Sequence, residues 1–117
     1  MLQAFPRTSR LTTRDEFTRV QRTGRRVGTP HMTLFALPNS HDRSRLGLVA
    51  SRRVGPAVVR NRMKRRLREL FRRHTVLSSS LQTSRRFDVV IVARSGLASV
   101  AFSAVEAEFA SAIGRLR

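Results

Sequence analysis

Positively charged side chains are concentrated in one segment of this sequence, residues 51–73. Within residues 57–75, seven arginines and Lys64 stand against a single acid, Glu69. Guanidinium groups bind phosphate oxygens in a planar, two-pronged geometry, and they can also stack on a nucleobase. The chemistry that this segment is equipped for is therefore the binding of a polyanion.

A helical arrangement of the same segment sorts its residues into two faces at about 100° per residue. The apolar residues form one stripe, suited to packing on a sheet, while the cations and Asn61 occupy the remaining surface. Like charges on neighbouring turns repel by a few tenths of a kcal/mol per pair. Nothing in the local sequence compensates for this repulsion, so we expect an external anion. The stripe consists of Val59, Met63, Leu67, Leu70 and Phe71.

Composition supports one small, folded, basic domain. The chain has 117 residues, a formal net charge of +17 and 40% hydrophobic residues, which is too apolar for a disordered basic tail. The absence of cysteine excludes disulfides and thiolate zinc sites. The apolar runs are too short to span a membrane, and the N-terminal residues have no signal-peptide core. We therefore expect a cytoplasmic protein with no membrane partner.

Periodicity and turn residues predict the elements that position the basic segment. Thr12 or Thr13 can cap the first helix, and Gly24 can end it. The near-continuous apolar run at 87–93 indicates a strand in the middle of a sheet, and residues 78–84 a polar loop. The strands at 27–37 and 45–51 are expected to be antiparallel and joined by a loop, and those at 45–51 and 87–93 to be parallel if adjacent. The predicted order is helix 11–24, strand 27–37, strand 45–51, helix from 57 to about 75, strand 87–93 and helix 102–116.

The basic segment also carries a recognisable motif. The pattern Arg60-Asn61-Arg62-x-Lys64-Arg65-x-x-Arg68-Glu69 closely resembles the signature of the bacterial ribonuclease P protein subunit. The similarity extends over nearly the whole chain and includes Phe17-x-x-Val20-x-x-x-Gly24, Arg45-x-Gly47 and the run from Phe87 to Arg94. The central motif is specific, whereas the flanking matches alone are weak.

This resemblance implies a fold. The expected architecture is an α+β or α/β two-layer sandwich, with a small mixed sheet and three helices in the order α-β-β(-β)-α-β-α. It also implies a left-handed βαβ crossover, contrary to the usual right-handed rule. We expect a single domain over residues 1–117, of which 1–10 form a flexible arm.

The resemblance implies a function as well. Members of the family join a catalytic RNA and help it to remove the 5′ leader from precursor tRNA. The RNA, with bound Mg²⁺, performs the hydrolysis, so the protein is an auxiliary subunit of the endoribonuclease and is expected to be inactive alone. We accordingly expect no catalytic residue, no metal site and no intrinsic cofactor in the protein, with the catalytic RNA and precursor tRNA as partners.

The family's binding residues carry over to two groups of positions. Gln21 stands where relatives often have a second aromatic residue, which reduces the expected stacking surface. With no Trp or Tyr in the chain, stacking depends on Phe or Arg. The residues expected at the catalytic RNA are Arg52, Arg53, Arg60, Arg62, Lys64, Arg65 and Arg68. Those expected in a leader-binding cleft are Phe17, Gln21, Phe35 and Asn61.

Three alternatives remain open on the residues alone. A structural RNA-binding protein of the ribosomal type would have the same electrostatics. A self-sufficient nuclease would need general acid/base pairs from His31, His41 and His74, yet no spacing unites them. A DNA-reading helix usually mixes amides with its cations, and here Asn61 is alone, so DNA is not the expected partner.

Overall fold

The computed structural model describes residues 10–41, 43–80 and 86–116, with the backbone alone for 75–80 and 116. The expected arm at 1–10 lies outside the described residues except for Arg10, which forms a parallel β-bridge with Leu46. In chain order, the elements are α1 (Arg14–Thr23), β1 (Arg25–Gly28), β2 (Met32–Asn39), β3 (Arg45–Ala50), α2 (Ala57–Ser80), β4 (Arg86–Ala93) and α3 (Phe102–Leu116), with short 3₁₀ turns at Arg52–Val54 and Leu97–Ser99.

Helix α1 begins with a reciprocal cap. Its N-cap is Thr13, whose Oγ1 accepts a hydrogen bond from the Glu16 N–H at 3.2 Å. The Glu16 carboxylate in turn accepts from the Thr13 N–H at 3.0 Å. The helix ends at Gly24, whose N–H donates to the Val20 carbonyl. This capping box satisfies backbone donors that the first turn would otherwise leave open, so the capping and ending residues predicted for this helix are confirmed.

The four strands of the described residues form one mixed sheet in the order β1-β2-β4-β3. Strands β1 and β2 are antiparallel, β2 and β4 are antiparallel, and β3 and β4 are parallel. Parallel neighbours need a crossover connection, which α2 supplies between β3 and β4. Strand β4 is central and its residues 88–91 are buried, as the apolar run predicted.

The helices lie on both faces of the sheet. Helices α2 and α3 enclose the main core, where Met32, Leu34, Leu67, Ile91 and Phe109 are almost completely buried. A smaller cluster joins α1 to the opposite face through Leu11, Val20 and Val90. One face is therefore fully covered by two helices, and the other is covered by one short helix.

The predicted fold class and element order are confirmed, with three differences. The single strand predicted at 27–37 is wrong: Val27 and Gly28 belong to β1, the chain turns at 29–31, and β2 continues to Asn39, so β1 is the optional extra strand. Helix α2 continues to Ser80, through the start of the segment predicted as a polar loop, whose remainder at 81–84 lies outside the described residues. Strands β2 and β3 run in opposite directions as predicted, but they are not paired, because β4 is inserted between them. The left hand of the crossover stays a prediction.

None of the helices in the described part of the chain combines the length and the apolar character that crossing a membrane requires.

Candidate nucleic-acid interface

A tight turn places two arginines directly in front of α2. After β3 the chain passes through the 3₁₀ turn that contains Arg52 and Arg53, and then through Gly55 at φ +148°. L-residues rarely adopt this conformation, and a Cβ on Gly55 would also lie 3.1 Å from Val59 Cγ1. Glycine therefore allows α2 to start immediately after the sheet, with both arginine side chains exposed beside its first turn.

Helix α2 presents the predicted two faces. Met63, Leu67, Leu70 and Phe71 are buried against the sheet. On the far side Asn61, Arg62 and Arg65 are exposed, while Arg60, Lys64 and Arg68 are partly buried along one flank. The structure thus gathers the residues predicted at the catalytic RNA on one helix and the turn that precedes it.

The C-terminal part of this basic run is neutralised inside the protein. Glu69 accepts hydrogen bonds from Arg72 at 2.6 Å and from Arg73 at 3.3 Å, and Arg73 also lies 3.5 Å from Glu106 of α3. The Arg72 hydrogen bond is the main reason why the pKa of Glu69 is lowered and that of Arg72 raised. The guanidinium of Arg66 lies 5.6 Å from the centre of the Phe102 ring. The expectation that nothing local compensates the charge is therefore wrong for this half of the helix.

The preceding turns have no such compensation. Within the described part of the chain no carboxylate pairs with the cations of the N-terminal half, and the buried Nε of Arg60 has no hydrogen-bond partner. Burial, followed by the nearby charge of Arg10, lowers the pKa of Arg68. Buried donors normally have an acceptor, and crowded cations favour an anion between them. We define the basic face as Arg52, Arg53, Arg60, Asn61, Arg62, Lys64, Arg65 and Arg68.

A second candidate surface lies on the other side of the sheet. Phe17 of α1 packs over β3, where a Cβ on Gly47 would lie only 2.6 Å from its ring. Phe17 and Phe35 both belong to the small cluster under α1, and both remain partly exposed. Each ring therefore packs against this cluster and also leaves part of its surface open to solvent.

Strand register defines the floor of this second surface. Side chains of directly paired residues share a face of the sheet, so Arg26, Phe35, Val90 and Gly47 form one row across all four strands. The next row contains Gly28, Thr33, Val92 and Val49. Partly exposed Val49 and Val92 pack against the same small cluster. Val90 and Gly47 are buried beneath α1, so we define the cleft as the surface beside α1 whose floor is formed by the exposed parts of Phe35, Val49 and Val92.

The predicted cleft residues are only partly brought together. Gln21 is exposed on α1, one turn beyond Phe17, and lies on the same flank of that helix by its 100° periodicity. Asn61 lies on α2, a helix of the opposite layer, and shares the exposed side of that helix with Arg65. Its position belongs with the basic face.

An ionic cluster lies at one end of the cleft, and its residues carry no functional signal in the sequence beyond the Arg45-x-Gly47 pattern. Arg45 binds both carboxylate oxygens of Asp88, at 2.8 and 2.7 Å, and its remaining terminal nitrogen binds Glu16 at 2.9 Å. Asn39 donates a further bond to Asp88 at 2.7 Å. Backbone N–H groups of Thr13 and Thr12 lower the pKa of Glu16 to about 2. The cluster fixes the start of α1 to β3 and β4.

The three histidines do not form a common site. His31 lies 3.0 Å from Glu108 of α3, His74 packs edge-on against Phe109, and His41 is exposed beside Asn39. Burial alone would raise the pKa of Glu108, but hydrogen bonds from Thr29 and His31 outweigh it and lower the pKa. Across the described ranges, no three His, Asp or Glu side chains are grouped so that they could hold a metal ion.

A profile of the Ribonuclease P family matches residues 5–117 of the chain. The chain belongs to the ribonuclease P protein family. The ribonuclease P protein component of Citrifermentans bemidjiense is 37% identical over 113 residues, covering 97% of this chain and 92% of the relative. That of Desulfovibrio desulfuricans is 39% identical over 116 residues, covering 96% and 85%. The family resemblance stated from the motif is thereby confirmed.

Solved structures agree with this assignment. The ribonuclease P protein from Thermotoga maritima superposes with a TM-score of 0.76 at 29% identity, covering 92% of this chain and 97% of that one. The protein from Staphylococcus aureus, at 23% identity, has a TM-score of 0.78 and supports the fold. As a ribonuclease P protein, the chain is a component of a ribonucleoprotein endoribonuclease that acts in tRNA 5′ processing.

Proposed function

We propose that the two surfaces bind different RNAs: the basic face docks on the catalytic RNA, and the cleft holds the 5′ leader of precursor tRNA. The observation that carries this proposal is the division of charge along α2. Arg72 and Arg73 are paired with Glu69, whereas the cations from Arg60 to Arg68 have no carboxylate partner in the described residues. The unpaired half is the half that contains the family's motif.

The basic face is suited to a folded RNA because its guanidinium groups are held on a rigid element. Burial of Met63, Leu67 and Leu70 fixes the rotation of α2 on the sheet, so the cations on its other sides have set spacings. Arg52 and Arg53 extend the same charge to the start of the helix, where free backbone N–H groups also favour phosphate. Binding through this face should depend steeply on salt.

The cleft is suited to a single strand. Its floor is apolar, and the exposed parts of Phe17 and Phe35 are surfaces on which unpaired bases can stack. Stacking of this kind contributes about 1–3 kcal/mol per base. Paired tRNA would not fit this mode of binding, because its bases are already stacked on each other. The cleft therefore distinguishes precursor tRNA from the mature product.

The hydrolysis itself belongs to the RNA with its Mg²⁺. Apart from Asn61, the side chains of the basic face are guanidinium and ammonium groups, which cannot ligate Mg²⁺, whereas carboxylate and phosphate oxygens can. The protein's residues accordingly bind and orient RNA: the basic face neutralises phosphates of the catalytic RNA, and the cleft holds the leader beside it. No side chain of the described residues is assigned a proton transfer.

Reconstitution tests this function. Adding the protein to the catalytic RNA and precursor tRNA at low Mg²⁺ should produce 5′ maturation, while the protein alone should produce none. Arg65→Ala should weaken assembly with the catalytic RNA and reduce the salt slope by about 0.7–0.9. Arg73→Ala is the matched control, since it removes the same charge from the same helix at a cation that is already paired. Strong RNA binding without any stimulation of maturation would indicate a structural RNA-binding protein and contradict the proposal.

A further inference from the structure

The ionic cluster at the start of α1 contains an arginine whose charge is balanced inside the protein. Arg45 binds the two carboxylate oxygens of Asp88 at 2.8 and 2.7 Å and one oxygen of Glu16 at 2.9 Å. The side chain of Arg45 is 17% exposed and that of Asp88 is 9% exposed. Two carboxylates therefore surround one guanidinium group in a chain with a net charge of +17. This arginine offers no net positive charge to a phosphate.

Glu16 links this cluster to the first turn of α1. Its Oε1 accepts hydrogen bonds from the backbone N–H groups of Thr12 and Thr13, each at 3.0 Å. Its Oε2 is the oxygen that binds Arg45. One carboxylate therefore caps the helix and also joins its first turn to β3.

Phe17 follows Glu16 directly and lies over the same strand. Arg45 and Gly47 are two positions apart on β3, so both face the α1 side of the sheet. A Cβ on Gly47 would lie 2.6 Å from the Phe17 ring. The ion pair and the ring contact are thus neighbouring contacts between α1 and β3. A shift of the first turn of α1 would move the Phe17 ring relative to the floor of the cleft.

The two ends of α1 are held in different ways. At the C-terminal end, Gly24 packs so closely on β2 that an added Cβ would lie 2.9 Å from a backbone carbonyl oxygen. At the N-terminal end, the Leu11 N–H donates a hydrogen bond to the Leu46 carbonyl at 3.0 Å, and Arg45 binds Glu16. Close packing fixes one end, whereas the end nearer the aromatic ring depends on these polar contacts.

We propose that Arg45 is a positioning residue for leader recognition: it holds the first turn of α1 on β3, keeps the Phe17 ring beside the cleft and makes no contact with RNA. This role rests on the proposed function, because it requires the leader to lie in the cleft. Arg45 acts through Glu16, so weakening either partner of the ion pair should have the same consequence.

The test is the ratio of the affinities of the reconstituted holoenzyme for precursor and mature tRNA, measured for Glu16→Gln, Arg45→Lys and the double variant. Both single changes keep a cation beside Asp88, so its buried carboxylate is not left unpaired. Each should lower the ratio about three- to fivefold, which is less than the full loss of one stacked base. The double variant should be no lower than the weaker single variant, because both changes break the same contact. The salt slope should stay at the wild-type value, since no phosphate contact is lost.

Direct electrostatic contact with RNA predicts a different result. Glu16→Gln removes a negative charge and would then strengthen the binding of the leader, whereas a positioning role predicts weaker binding. Asp15→Asn is the matched control, because it removes the same charge from the neighbouring residue in the first turn of α1, at an exposed side chain. It should not lower the ratio.

Three results would overturn the proposal. A ratio for Glu16→Gln at or above the wild-type value would mean that the ion pair does not position the ring; this includes a less stable protein that binds both tRNAs equally weakly. Losses that multiply in the double variant would mean that Arg45 and Glu16 act separately. A salt slope reduced by about 0.7, the single-strand value for one phosphate, would mean that Arg45 contacts RNA. The proposed function fails separately, if wild-type holoenzyme binds precursor and mature tRNA equally well.

Discussion

Replacing Gly47 by alanine tests whether Phe17 is positioned by its contact with the sheet. The new Cβ would lie 2.6 and 2.7 Å from two carbons of the Phe17 ring, and 3.2 Å from Leu11 Cδ1. An ordinary carbon contact is about 3.5 Å, so the ring or the start of α1 must move by roughly 0.9 Å. Leu11 needs a shift of only a few tenths of an ångström. The main displacement is therefore expected at the Phe17 ring.

The expected cost is modest but measurable. Overpacking of this kind costs about 1–3 kcal/mol, and the loss of glycine's flexibility in the unfolded chain offsets about 0.4–1 kcal/mol of it. We expect Gly47→Ala to lower the free energy of unfolding by about 1 kcal/mol. Gly28→Ala is the matched control, because it is also a glycine on the cleft side of a strand and nothing lies within 4 Å of its added Cβ.

A double-mutant cycle in urea identifies the cause. In a Phe17→Ala background the ring is gone, so Gly47→Ala should become neutral or slightly stabilising, with a coupling of about 1–2 kcal/mol. In the holoenzyme, Gly47→Ala should also reduce the preference for precursor over mature tRNA, because Phe17 has moved. An equal cost of Gly47→Ala in both backgrounds would refute the reasoning.

Three further predictions concern stability. Because the pKa of Glu16 is lowered, its carboxylate contributes its full share to the free energy of unfolding above about pH 4.5, and that share is lost as the pH falls toward 2. Glu16→Gln should therefore lower the free energy of unfolding most near neutral pH, by about 1–2 kcal/mol after solvent screening. Unfolding curves measured in acid should show a smaller difference from wild type. Glu108→Gln should cost about 1–3 kcal/mol by thermal unfolding, because it replaces the acceptor of Thr29 and His31, whereas Glu106→Gln, 47% exposed, should stay within about 0.5 kcal/mol. Sulfate should raise the melting temperature more than chloride at equal ionic strength, by binding the unpaired cations of the native state; coincident curves would exclude specific anion sites.

The sequence predicted those elements whose pattern is local. The apolar stripe of α2, the cap at Thr13 and the central position of β4 all follow from the spacing or type of nearby residues. The insertion of β4 between β2 and β3 could not be read from the chain, because strand order depends on contacts that are distant in sequence.

The same distinction applies to the candidate site. The cations of α2 are visible in the sequence, but their division into paired and unpaired halves is not, since one of the paired contacts comes from Glu106 of another helix. Nothing in the sequence around Arg45 predicts that its guanidinium group pairs with Asp88 and Glu16. The sequence alone predicts that Asn61 lies on a helix. Its separation from the cleft follows only from the fold, which places α1 and α2 on opposite faces of the sheet.

The separation of the two surfaces is tested most directly by one ratio, the affinity of the reconstituted holoenzyme for precursor tRNA divided by its affinity for mature tRNA. It should be measured for Phe35→Ala and Arg65→Ala at protein concentrations that saturate assembly. We predict that Phe35→Ala lowers the ratio and that Arg65→Ala leaves it at the wild-type value once assembly is complete. An equal fall in both variants would contradict the assignment of the leader to the cleft and of the catalytic RNA to the basic face.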